Sequence, residues 1–109
     1  MSVYKRLGAT DVIANTNTLL YTVPAAKSAV VSTISVCNTG IDPGTFRVAI
    51  IPGELSAISK KDHIYYDLPL AGNDTFMATI GLTMSAGYSI AVYGSSSDIV
   101  FSSFGSEVA

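Results

Sequence analysis

The sequence predicts an all-β fold: an antiparallel β-sandwich, jelly-roll-like, with about seven or eight strands. Three observations carry that prediction. Short apolar runs rich in Val, Ile, Thr, Tyr and Phe recur along the chain, and such side chains suit a pleated, half-buried surface. Clusters of Gly, Pro, Asn, Asp and Ser separate these runs roughly every 8 to 12 residues, as turns would. No stretch sustains a long helical period, which argues against crossover helices and a parallel sheet.

The elements follow in order. Residues 1–17 read as an N-terminal arm or an edge strand, and residues 18–109 as a single β-sandwich domain. Thr18–Val23 is a strand that Pro24 stops, because proline donates nothing to a ladder. Ser28–Asn38 is the strongest strand. Its Val30, Ser32, Ile34 and Val36 share one face, which is assigned to the core. Ala29, Val31, Thr33, Ser35 and Cys37 share the other, a face of small side chains suited to a second sheet or a neighbouring subunit. Cys37, lying among Ser and Thr, reads as a buried, inert packing residue. Asp42-Pro43-Gly44 closes a turn. Thr45–Ile51 places Phe46, Val48 and Ile50 inward against Arg47 and Ala49. Glu54–Lys61 is a loop or a helix of one or two turns, with Leu55 and Ile58 three apart. Asp62–Leu70 reads as a strand in which Pro69 argues for an edge position or a strand end. Thr75–Leu82 alternates Phe76, Ala78, Ile80 and Leu82 inward. Tyr88–Tyr93 and Asp98–Phe104 complete the strands, and Gly105–Ala109 reads as a tail.

Composition sets bounds. A chain of 109 residues fits one domain, and folding should bury roughly 65% of its surface, leaving about 5,700 Å² exposed. Charged residues make up only 13%, about half the usual share. Much of the surface is therefore Ser, Thr, Asn, Gly, Ala or apolar, which suits burial against neighbours. The basic residues Lys5, Arg6, Lys27, Arg47, Lys60 and Lys61 are scattered, so nucleic acid is not an expected partner. No apolar run is long enough for a membrane span. The first residues lack the apolar core of a secretory signal. Cys37 is the single cysteine, so no intrachain disulfide can form.

The chemistry-bearing residues are sparse. His63 is the sole histidine, with Asp62 and Asp67 nearby, but there is no Gly-x-Ser-x-Gly elbow, and abundant serines make any triad match uninformative. One Cys and one His cannot supply a zinc set. Asp42, Asn73 and Asp74 read as turn formers rather than calcium ligands. Glu54, Asp62 and Asp67 give no sign of a glycosidase pair, and Asn73-Asp74-Thr75 matches a glycosylation acceptor only formally. Tyr65, Tyr66, Tyr88 and Tyr93 could stack on sugar rings, or simply pack in strands and interfaces. No catalytic, cofactor-binding or metal-binding residue is assigned, and no cofactor is expected.

Three runs carry a resemblance: Leu20-Tyr21-Thr22-Val23-Pro24, the stretch Val30-Val31-Ser32-Thr33-Ile34-Ser35-Val36-Cys37-Asn38-Thr39-Gly40, and Thr45-Phe46-Arg47-Val48-Ala49. With Tyr65-Tyr66-Asp67, Gly81-Leu82-Thr83-Met84 and Ser103-Phe104-Gly105, they resemble a small β-sandwich family of tailed phages. Its members are virion structural or tail-associated proteins. The resemblance spans roughly Leu20 to Val108 and lies in core strands and turns, so it speaks to fold more than to role. It implies a non-enzymatic virion component made in the host cytoplasm. A tail fibre or baseplate position is expected, with head decoration (cement) protein and glycan-binding host-recognition module as alternatives. The implied partners are other virion proteins and further copies of the chain, a trimer being favoured, with a host surface glycan as a further candidate.

Overall fold

Successive strands cross between two sheets. The structure is a computed structural model that describes residues 2–108. Its strands are β1 (Ser2–Asp11), β2 (Thr18–Thr22), β3 (Ser28–Asn38), β4 (Gly44–Ile51), β5 (His63–Leu70), β6 (Thr75–Met84), β7 (Ser89–Gly94) and β8 (Ile99–Val108). One sheet has the order β1-β8-β3-β6 and the other β2-β7-β4-β5. Every pairing is antiparallel. Only β4 and β5 are both consecutive and paired, so the chain winds around the sandwich as a jelly roll. The segment for which arm and edge strand were open is the edge strand β1, paired along β8. Of the expected C-terminal tail, Gly105–Val108 instead continues β8, and Ala109 lies outside the described residues. Exposed surface totals 5711 Å², the value expected for a folded monomer of this mass, so the core closes without a partner.

The core is aromatic at its centre. Phe46 is fully buried, with Phe76, Phe101 and Tyr65 at centroid distances of 5.3, 6.4 and 6.3 Å in tilted and edge-on geometries. Such arrangements suit the ring quadrupoles. Val31, Ile34, Val36, Val48, Ile90 and Ile99 complete the packing.

Bulges decide which side chains reach that core. In β3, the register against β8 slips between Val31 and Thr33, leaving Ser32 as the inserted residue. The Ser32 hydroxyl donates to the Phe104 carbonyl at 3.2 Å. The insertion changes the parity of the strand. Ala29 and Val31 before it, and Ile34 and Val36 after it, all face inward, whereas Val30 is 38% exposed. The single-face assignment of Val30, Ser32, Ile34 and Val36 is therefore corrected: it holds from Ile34 onward and inverts before Ser32. An unbroken alternation would turn either Val31 or the Ile34–Val36 pair to water. The latter would forfeit roughly 3–6 kcal/mol of burial. A matching slip in β1 at Leu7 lies in the same transverse line, because Arg6 pairs with Phe104 and Gly8 with Ser103. The bend carries β1 against the opposite sheet, where a methyl on Gly8 would overlap the carbonyl oxygen of Leu20.

Glu54–Lys61 gives two single 3-10 turns, Leu55–Ala57 and Lys60–Asp62. The second is closed by a capping box in which the Asp62 carboxylate accepts from the Ser59 backbone N–H at 3.0 Å.

Candidate functional site

The two sheets differ on their outer faces. On the β2-β7-β4-β5 sheet, Ala49, Ile51 and Ala91 lie under Leu55 and Ile58, so the first 3-10 turn and the residue after it cover that part of the face. Beside this patch, Arg47 pairs across to Tyr93. Its guanidinium sits between Tyr93, at 4.0 Å, and Tyr66, at 4.3 Å. Asp67 accepts from its Nε at 2.6 Å and from Nη2 at 3.4 Å. The carboxylate raises the Arg47 pKa further above its already high ordinary value. Asp67 holds φ +51 at a register slip between β4 and β5. That slip sends Tyr65 into the core and turns Tyr66 outward.

Among the described residues, nothing covers the outer face of the β1-β8-β3-β6 sheet in this way. Its side chains fall into rows read from the strand register. Asp11, Val100, Cys37 and Thr75 form one row. Ala9, Ser102, Ser35 and Met77 form the next, and Arg6, Phe104, Thr33 and Thr79 the third. Tyr4, Ser106, Val30 and Thr83 form the fourth. Among the described residues of these rows only Arg6 and Asp11 are charged, and both belong to the β1 edge. Tyr4 is 83% and Met77 64% exposed. A groove along β1 and β8 is lined by Tyr4, Arg6, Ser32 and Phe104. An uncharged, shallow, small-residue surface with a few large apolar side chains can be desolvated at low cost, as assembly interfaces require.

At one end of the sandwich lies a polar cluster that the sequence did not disclose. Glu107 projects between the sheets and is only 5% exposed. Tyr21, from the opposite sheet, donates to it at 2.5 Å, and Lys5 and Lys27 approach at 2.8 and 3.8 Å. The Lys5 contact, followed by the Tyr21 hydrogen bond, holds the Glu107 carboxyl below the usual range against the opposing effect of burial. Burial, followed by the Glu107 hydrogen bond and charge, pushes the Tyr21 phenol well up. The readable signal was parity: Phe101, Ser103 and Gly105 face inward, and Glu107 continues that series.

The other singled-out residues are placed separately. His63 and Tyr66 meet edge-on at 5.1 Å and, with Lys60, line a cleft of ≈ 510 Å³. Asp62 is engaged by Ser59 and Asp67 by Arg47, and the His63 Nδ1 has no partner among the described residues. Tyr65 packs in the core, and Tyr66 and Tyr93 clamp Arg47. The four tyrosines considered for sugar stacking do not share one platform. Asn73 holds φ +58 in its turn, and Asp74 accepts from the Thr75 N–H. Asp42 offers its carbonyl to Asn38. No three His, Cys, Asp or Glu side chains converge among the described residues. Cys37 is half-buried on the open face rather than fully buried. No described helix is long and apolar enough to cross a membrane.

Comparison with protein-family models gives no match, and comparison with curated proteins gives none.

Proposed function

We propose that this chain is a non-enzymatic structural component of a tailed-phage virion. It assembles through contacts between subunits and belongs to the tail fibre or baseplate, with a trimer as the expected homo-oligomer. The observation that carries the reading is the open outer face of the β1-β8-β3-β6 sheet, where the described charges are confined to one edge. The resemblance of the β2, β3 and β4 sequences to phage virion sandwiches supplies the particle. The test is fractionation of purified virions into heads and tails, with each fraction probed for the chain by mass spectrometry. The expected result is a fixed stoichiometry in the tail fraction. Presence in heads alone would move the protein to the decoration role, and absence from both would overturn the reading. Cys37 reports on the face itself: a bulky maleimide on its thiol should block incorporation into particles.

A further inference from the structure

The β4–β5 connection and the start of β5 build a cleft that the assembly reading leaves unused. It holds ≈ 510 Å³ and is lined by Lys60, His63 and Tyr66, a size in the range of small-molecule sites. Each of its walls is fixed by contacts of its own. Lys60 opens the second 3-10 turn, which the Ser59–Asp62 capping box closes. Tyr66 carries the Arg47 guanidinium over its ring at 4.3 Å, and Asp67 holds that guanidinium in place. His63 and Tyr66 are three residues apart, so an unbroken strand would send them to opposite faces. They share a face because the β5 register slips at Ile64: Tyr65 pairs with Val48 and His63 with Ala49, leaving Ile64 inserted between them. Edge bulges of this kind re-aim side chains and recur beside active sites.

The groups that meet in the cleft are mostly donors. The Lys60 side chain is exposed and has no carboxylate within ion-pair distance among the described residues. The flanking carboxylates are already engaged, Asp62 by Ser59 and Asp67 by Arg47. Nδ1 of His63 has no partner among the described residues, so no hydrogen bond there fixes the tautomer, and the other ring nitrogen can donate or accept. Tyr66 is 57% exposed and offers both a hydroxyl and an apolar ring surface. A ligand that answers this set carries one anionic group, several hydroxyls and an apolar C–H face. Water takes about 30 Å³ in the liquid, so the cleft has room for a ring and not only for a bare anion. We infer that it binds an acidic sugar residue, a pyranose bearing a carboxylate. The carboxylate meets Lys60, the ring hydroxyls meet His63 and the Tyr66 hydroxyl, and the C–H face lies on the aromatic wall. A single tyrosine serves here, not a platform of four. That the sugar belongs to a bacterial surface rests on the virion reading above; the chemistry of the cleft does not.

The probes are the methyl glycosides of glucuronic, galacturonic and N-acetylneuraminic acid. Methyl glucoside is the neutral counterpart, and acetate and inorganic phosphate are the bare anions. Each is titrated into isotope-labelled protein and followed by two-dimensional NMR. At least one acidic glycoside should shift the Lys60, His63 and Tyr66 resonances with a dissociation constant of about 1–10 mM. It should bind at least roughly fivefold more tightly than methyl glucoside or either bare anion, and Lys60→Met should weaken it by a similar factor while the melting temperature stays at the parent value. The inference is overturned if no acidic glycoside shifts these resonances up to roughly 100 mM. Equal binding of acetate or phosphate, or parent-like binding by Lys60→Met, would overturn it as well. Glycoside binding by a protein that is absent from virions would uphold the cleft and overturn the virion reading, so the two failures are distinct.

Discussion

Replacing Glu107 with Gln gives the sharpest test of how the end of the sandwich is held. The carboxylate is 5% exposed and takes the Tyr21 hydrogen bond across the gap between sheets. Its two lysines are 47% and 43% exposed, so each ion pair is worth no more than about 1 kcal/mol and both ammonium groups can return to water. The Tyr21 bond to a charged acceptor is worth roughly 1.5–3 kcal/mol. Glutamine keeps the shape and an acceptor oxygen but loses the charge. Glu107→Gln should therefore cost about 1–2 kcal/mol, or a fall in Tm of roughly 5–10 °C for a domain of this size. Chemical denaturation at pH 7 and a melting series against pH are the assays.

The pH dependence fixes the sign. The folded Glu107 pKa lies below its unfolded value. Its contribution is full above the ordinary carboxylate pKa of about 4.3 and is lost as pH falls through the folded value. Tyr21 works in the opposite direction. Its folded pKa is raised, so its contribution is full below about pH 10 and is lost as pH rises beyond that. Glu107→Gln should flatten the acid limb. It should flatten the alkaline limb only in part, because burial, the largest cause of the Tyr21 shift, remains. A double-mutant cycle with Tyr21→Phe should show coupling of about 1–2 kcal/mol. The reasoning is refuted if Glu107→Gln matches or exceeds the parent in stability and the two acid limbs superimpose, since desolvation would then outweigh the contacts.

Other substitutions probe other parts of the fold. Phe46→Ala empties the centre of the aromatic core and should cost about 3–5 kcal/mol, measured by urea unfolding. Gly105→Ala puts a methyl onto the Val30 carbonyl at the β3 bulge and should destabilise by roughly 2–4 kcal/mol, whereas Gly81→Ala meets open space and should stay within about 0.5 kcal/mol of the parent. Ser103 is fully buried and its hydroxyl has no partner among the described residues, so Ser103→Ala should raise stability by about 1 kcal/mol in the same assay. Arg47→Lys keeps the charge but loses the planar stack and the fork on Asp67, and should cost about 1 kcal/mol.

The sequence pattern reached as far as local parity reaches. The β4 alternation put Arg47 and Ala49 opposite Phe46, Val48 and Ile50, and the structure keeps that division. Pro69 argues for an edge position or a strand end, and β5 is an edge strand that ends one residue later, at Leu70. What parity misses is the inserted residue. Val30-Val31-Ser32-Thr33 contains no Gly or Pro to mark a bulge, because the slip at Ser32 is set by pairing with two neighbours rather than by the strand itself. The slip at Asp67 is equally silent, and it alone decides that Tyr65 is core while Tyr66 is surface. Leu55 and Ile58 did carry a signal, but their spacing of three fits a 3-10 turn as well as a longer helix. The open face was legible only in part. Thr33, Ser35 and Cys37 belong to it, but Ala29 and Val31 are core.

Where the charges lie bears on what the open face can do. Lys27, Lys60, Lys61, Asp42, Glu54, Asp62, Asp74 and Asp98 fall in turns and connections, outside the strands of the β1-β8-β3-β6 sheet. Lys5 is drawn to Glu107 at the end of the sandwich, and Arg47 and Asp67 neutralise each other on the other sheet. The rim therefore keeps the protein hydrated while the face is free to dry. Ser, Thr, Val and Ala lose less rotamer freedom on burial than Lys or Glu, whose ordering costs up to about 2 kcal/mol each. A face built from the former loses little entropy when covered and leaves no ion stranded. Such a surface gains little from staying in water.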